Sequence, residues 1–430
     1  MSFEANNVNE EAGHPGGSVQ SLRRTVAVLS GTVFLTMIGI SIISPALPQY
    51  GRHLGATAFL AGVLVGALPM ARVVLDLPAG AIGDRFGNRR MMRTGLAVIA
   101  ISSAVGVLAF NYWVLLGVRV AEGVGSAFYV TSSLAALAKA APPEQRGRFM
   151  GLYVNALLTG QIVGPVLGGA VVLAWGIRAP FAAYALFACV GMMLITVSLE
   201  PEPERSTNGR VDMAAVRRML RDRSYVIVNL GTMGAFFIRA GLISTVIPLF
   251  IAFNWGVSSE LAVTYTGVLI TTTAFASLLT LYPSGVLSDR LGRKIPFVVS
   301  LVLAGIVAPF IFLTSDLAHA IPVIFAYGLV LGLHGPLVAW TTDLTPKELM
   351  GTSMGLYRTI GDLGFLLGPV ILAAVLELTM VAGRVTIWPF LVAAGWVITA
   401  GLLMLFARDP VAERRRAMAA GSANATQAAK

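Results

Sequence analysis

Twelve apolar runs, each about the length of a bilayer crossing, constrain this chain more than any other feature. A hydrocarbon core about 30 Å thick takes roughly 20 apolar residues per helix. Runs of that order lie at 25–47, 59–77, 92–110, 113–137, 151–173 and 179–199, then, after a polar break, at 225–253, 262–282, 296–313, 321–340, 351–376 and 385–406. Backbone polar groups in lipid must be satisfied within the chain, so each run reads as a helix. The expected fold class is an all-α integral membrane protein with twelve transmembrane helices in two pseudo-symmetric six-helix bundles. Composition agrees, with 56% of the 430 residues hydrophobic and only 12% charged, a balance that no soluble domain requires.

Lys and Arg concentrate in the cytoplasmic loops of membrane proteins. With both termini inside, cytoplasmic segments hold 24 of the 31 basic residues and the outer loops hold three, Arg52, Arg178 and Arg384. The other four, Arg72, Arg119, Arg239 and Arg358, fall inside apolar runs. The expectation is a multi-pass protein of the cell (plasma or inner) membrane with both ends cytoplasmic. The same distribution accounts for the net charge of +10 without nucleic acid as a partner. The first run lacks a small-residue cleavage site and is too long for a signal-peptide core, so it reads as a retained helix. A single cysteine, Cys189, excludes an intrachain disulfide. The domain reading is a disordered cytoplasmic N-terminus at 1–24, a first bundle at 25–199, a cytoplasmic linker at 200–224, a second bundle at 225–406 and a disordered cytoplasmic tail at 407–430. The linker sets Met213, Val216, Met219 and Leu220 on one helical face with arginines opposite. That pattern suits either a helix lying on the inner leaflet or a solvated connection.

The two halves repeat. Gly80-Ala-Ile-Gly-Asp84-Arg85-Phe-Gly87-Asn-Arg89-Arg90 returns 205 positions later as Gly285-Val-Leu-Ser-Asp289-Arg290-Leu-Gly292-Arg293-Lys294. Met150-Gly-Leu-Tyr153, Gly160 and Gly164-Pro165 return 204 positions later as Met354-Gly-Leu-Tyr357, Gly364 and Gly368-Pro369. Repeats of this kind build transporters with a site near the midplane between halves. The short loop rich in Gly, Asp and Arg between the second and third helices resembles the signature at that place in the major facilitator superfamily. The first copy departs from it by carrying Asn88 at the first basic slot. The resemblance covers nearly all of 25–406 and implies the major facilitator fold, a monomer, and two bundles rocking around a midplane site. It also implies that Asp84 caps the cytoplasmic end of helix eleven, that the arginines bridge to helix four, and that the second copy does the same against helix five, latching the inner gate. In helix five, Gly160-Gln-Ile-Val-Gly164-Pro165-Val-Leu-Gly168-Gly169 spells tight, bendable packing on physical grounds. It is also similar to the glycine-proline signature of that superfamily's antiporters, chiefly multidrug exporters driven by protons.

Helix four contains Arg119-Val-Ala-Glu122-Gly123-Val-Gly125, similar to the family's signature in the same helix. Ionisable groups at membrane depth are costly and are usually paired and functional. Arg119 and Glu122 are one turn apart and can pair, so Glu122 either exchanges a proton or stands in a static pair that orders packing. Asp76, four residues after Arg72, reads as a gating or structural member of the loop network, with a role in coupling as the alternative. Arg358 and Asp362 repeat that spacing in helix eleven, and Asp362, about 16 Å along its helix, is a second candidate for proton or cation binding. Arg239 has no acid within reach on its own helix and needs a partner from elsewhere: Glu122, Asp362, a substrate anion or water. The resemblance places helices one, four, seven and ten around the cavity, which would turn Arg119, Glu122, Arg239 and His334 inward. Thr271 to Thr273 would bond to their own backbone. No nucleotide, metal or nucleophile motif survives inspection, so the expectation is no enzyme, no cofactor and a proton gradient as energy source. The expected function is a secondary transporter exporting a small organic molecule, drug-like or metabolic, in exchange for protons. The same fold would serve proton-coupled uptake or facilitated diffusion of a sugar or organic anion, or a sensor that transports nothing.

Overall fold

The computed structural model describes residues 15–142, 145–199, 213–333, 337–346 and 349–415. The N-terminal residues 1–14, most of the linker, the tail beyond Arg415, and His334 lie outside that set. Among the described residues, twelve helices are long and apolar enough to cross a membrane. In chain order they are α1 (Pro15–Ile43), α2 (Ala58–Phe86), α3 (Asn88–Val107), α4 (Tyr112–Ala140), α5 (Arg146–Trp175), α6 (Ala179–Ser198), α7 (Arg223–Asn254), α8 (Ser259–Leu291), α9 (Lys294–Leu313), α10 (Leu317–Gly332 and Leu337–Asp343), α11 (Met350–Thr379) and α12 (Trp388–Leu403). Several begin on side-chain caps that satisfy otherwise unpaired N–H groups. Thr57 accepts from Leu60 N, Asn111 from Val114 N, Ser258 from Leu261 N and Asp316 from His319 N.

Each half has its own apolar core. One gathers Leu29, Leu96, Leu115, Phe181 and Tyr184; the other gathers Phe237, Phe250, Phe297, Trp340 and Phe390. Inside each half the repeated glycines bring one helix pair backbone to backbone. A Cβ at Gly160 would lie 2.7 Å from Phe34 O on α1, and one at Gly168 would overlap Ile42 O. In the second half, Cβ atoms at Gly364 and Gly368 would overlap Met233 O and Phe237 O on α7. Gly164 meets Ser41 and Ile38 in the same way.

The halves meet along two seams, α2 with α11 and α5 with α8. On the first, Gly62 abuts the Pro369 carbonyl at 2.5 Å and Gly66 the Leu366 carbonyl at 3.1 Å, measured from the Cβ each lacks. On the second, Gly169 abuts Thr264, Gly267 abuts the Pro165 carbonyl, and Thr264 and Thr271 donate to Gly169 O and Ile162 O. Thr271 therefore reaches across to α5 rather than to its own backbone, whereas Thr273 bonds to Leu269 O as expected. We call the end holding the turns at Gly87 and Gly292 the basic end. At the opposite end the halves are joined: Gln49 donates to Pro248 O at 3.0 Å, Arg52 stacks on the Phe253 ring at 4.0 Å, and Glu377 accepts from Phe59 N at 2.6 Å. At the basic end a recess of about 1350 Å3 runs between the ends of α1, α4 and α5.

Four sequence expectations change here. The N-terminal segment expected to be disordered as far as residue 24 is helical from Pro15. The stretch from Gly80 is helical to Phe86 and that from Gly285 to Leu291, so only Gly87 (φ +84) and the Gly292-Arg293 corner (Gly292 φ +96) break the chain. The segment after 407 is structured as far as Arg415, because Asp409 caps Ala412 N and also accepts from Lys294 N at 2.9 Å. The linker helix Met213–Arg221 packs Val216 and Met219 against Tyr225 and Leu356, while Met213 and Leu220 of the expected apolar face stay exposed.

Candidate functional site

Four charges in α2 and α11 form crossed pairs. The helices run antiparallel, so Arg72 meets Asp362 at 3.0 Å and Asp76 meets Arg358 at 2.6 Å. Neither arginine takes the acid four residues away on its own helix. Asp362 and Asp76 are buried, with 3% and 8% of their surfaces exposed. The pairs therefore hold the two halves together rather than stiffening single helices.

Arg119 and Glu122 pair within α4, and Ser103 of α3 donates to the other Glu122 oxygen at 2.6 Å. Glu122 is wholly buried and turned toward α3, which corrects the expectation that it faces the cavity. Arg119 does face it. A chamber of about 190 Å3 at mid-depth is lined by Arg72, Arg119, Arg239 and Gln161, with Met37, Ser41, Ser244, Ile270 and Phe365 among the remaining groups. Asp362 and Arg358, also expected in the cavity, stand behind this lining in the seam.

Arg239 projects into the chamber, and its guanidinium donates to the neutral Gln161 Oε1 at 3.1 Å. It opens a π-helical stretch, Arg239–Val246, in which Thr245 Oγ1 bonds back five residues to Ala240 O. Pro248 explains the stretch. It has no N–H for the Ser244 carbonyl, and Ile247 N bonds instead to Leu242 O, five residues back. Such π turns recur at functional sites in helices. Sequence reading missed Arg72 and Gln161 as lining residues and missed the π turn. Their signals were present: an arginine inside an apolar run, a Gln within the glycine stretch, and a proline deep inside the seventh run.

The gating loops differ from expectation. Arg89 donates to Thr196 O of α6 at 2.6 Å, so this arginine ties the first copy to helix six. Arg85 lies over its own Phe86 ring. The Asp84 side chain lies outside the described set. In the second copy Arg293 pairs with Asp289 at 2.6 Å and with Asp343, at the end of α10, at 2.9 Å. The Asp289 side chain is 69% exposed, and among the described residues its partner is Arg293 rather than the end of α5. Instead the corner is held by the C-terminal segment, where Asp409 sits against Gly292 and Arg415 donates to Arg290 O.

Comparison with known proteins follows the same lines. The model of the family described as the Major Facilitator Superfamily matches residues 29–369 and 236–428. The chain is 24% identical over 392 residues to multidrug resistance protein 2 of Bacillus subtilis, covering 90% of this chain and 95% of that protein. It is 23% identical over 359 residues to an uncharacterised MFS-type transporter of Methanocaldococcus jannaschii, covering 81% and 90%. Among solved structures, a bacterial homologue of the human lysosomal transporter Spinster, inward-facing and occupied, superposes with a TM-score of 0.74 at 17% identity, covering 88% of this chain and 95% of that one.

Proposed function

Because the chain belongs to the Major Facilitator Superfamily, and so is a multi-pass membrane transporter of small molecules, we propose that it exports a small organic molecule in exchange for protons across the cell membrane, its basic end in the cytoplasm. The observation that carries the proton half of this reading is the Arg72–Asp362 pair at 3.0 Å. It joins the two bundles, so protonating Asp362 removes a charge that holds α2 to α11 and biases the inward-outward equilibrium. Glu122 pairs inside one half, where a proton has no lever on that equilibrium, and is assigned to packing. The outward direction draws on the α5 glycine-proline stretch and on the relative named for multidrug resistance. Arg293, with Asp289 and Asp343, steadies the second turn at the basic end.

A second reading, proton cotransport, has one observation in its favour. A proton on Asp362 would leave Arg72 uncompensated beside the chamber, so proton and an anionic substrate would favour one another's binding. The sign of proton movement separates the two. In everted vesicles with an acid interior, adding dyes, antibiotics and organic acids should dissipate the gradient under exchange and deepen it under cotransport. Asp362→Asn should abolish either response, while Glu122→Gln, if it folds, should retain it. A gradient untouched by every compound in wild type would defeat both.

A further inference from the structure

The chamber between the halves presents three guanidinium groups and no carboxylate among its described lining residues. The acids at this depth stand behind the arginines. Arg119 is held by Glu122, Arg72 by Asp362 and Arg358 by Asp76. Arg239 is the exception, exposed to the chamber and, among the described residues, bonded by its side chain to the Gln161 amide oxygen alone. Four guanidinium groups against three carboxylates leave one positive charge in excess among the described residues of this layer. An ionised group at membrane depth is costly without a counter-charge, and a guanidinium matches a carboxylate better than any other partner.

We propose that the chamber binds an organic monoanion, its carboxylate head on Arg239 and Gln161 and its apolar body against Ile270, Phe365 and Met37. The proposal rests on the transporter reading above but on neither its direction nor its coupling. The size of the chamber narrows the class further. At about 190 Å3 it falls below the roughly 300–1,000 Å3 of sites for drug-sized ligands, so the body is about that of one aromatic ring or a short acyl chain. The recess at the basic end is likewise basic, lined by Arg23 and Arg148 with no acid among its described lining residues. A field of that sign gathers anions.

The test uses the full chain purified in nanodiscs, with thermal stabilisation and calorimetric binding as readouts. The probes are benzoate, phenylacetate and 4-phenylbutyrate, each beside its amide and the amine of matching shape. Carboxylates should stabilise wild type while amides and amines do not. Arg239→Gln should melt normally and bind carboxylates roughly tenfold more weakly or worse. Arg239→Glu should turn the preference toward the amines. Stabilisation of wild type by the amines, undiminished carboxylate binding in Arg239→Gln, or no carboxylate binding at millimolar concentration would each overturn the assignment. No pH gradient enters this experiment, so its failure leaves the vesicle result standing, and a failed vesicle assay leaves this one readable.

Discussion

Asp362 and Arg72 each have an oppositely charged neighbour four residues away on their own helix, yet pair with each other across the seam. Removing one partner strands a charge in a site where Arg72 is only 20% exposed. Asp362→Asn should therefore cost on the order of 3 kcal/mol of stability, read as a lowered melting temperature in detergent. The charge swap Arg72→Asp with Asp362→Arg should recover most of it, and a double-mutant cycle in which the two single losses simply add would show that the pair does not interact. The four charges and their spacing were plain in the sequence. Their crossing was not, because spacing reports only on neighbours within one helix, whereas the antiparallel seam is set by how two distant helices pack. Arg239 was legible for a related reason: the absence of an acid along its own helix already required a partner from elsewhere.

At the scale of helices, the glycines of the repeated motifs do unequal work. A methyl group at Gly368 would overlap the backbone carbonyl of Phe237, which a rotamer change cannot relieve. Gly368→Ala should destabilise by about 1–3 kcal/mol and impair transport. Nothing lies within 4 Å of a Cβ at Gly285, so Gly285→Ala should be neutral or stabilise by up to about 1 kcal/mol. Equal losses in the two variants would show that Gly285 is required for something other than space. The Asp316 cap of α10 gives a pH signature. A backbone hydrogen bond from His319, then one from its side chain, hold the Asp316 carboxyl below its ordinary 3.8. Its folded-state pKa is depressed, so its stabilisation is present above the unfolded value and fades as pH falls through the folded one. The melting difference between wild type and Asp316→Ala should be full at neutral pH and shrink below about pH 4. The sequence announced tight packing in α5 and α11 through glycine spacing. It concealed where α2 and α8 end, since Gly80 and Gly285 are tolerated inside helices and only the positive φ at Gly87 and Gly292 stops them.

Across the whole molecule, the twelve helices and the two halves were readable from apolar length and the 204-residue repeat. What the repeat hid is an asymmetry. Arg72 and Asp76 correspond to Ser277 and Leu281 in α8, and Arg358 and Asp362 correspond to Val154 and Leu158 in α5. One seam carries two ion pairs, while the other is made of glycine contacts and threonine hydroxyls on carbonyls. Spin labels placed across α2 and α11 should give one narrow distance, and labels across α5 and α8 a broad or two-peaked distribution that shifts with pH and ligand. Similar widths on both seams would mean that the ion pairs do not restrain the motion. A narrow α2–α11 distance beside a broad α5–α8 one would mean that the molecule opens like a book, with the ion-paired α2–α11 edge as its spine and the α5–α8 edge as its free margin.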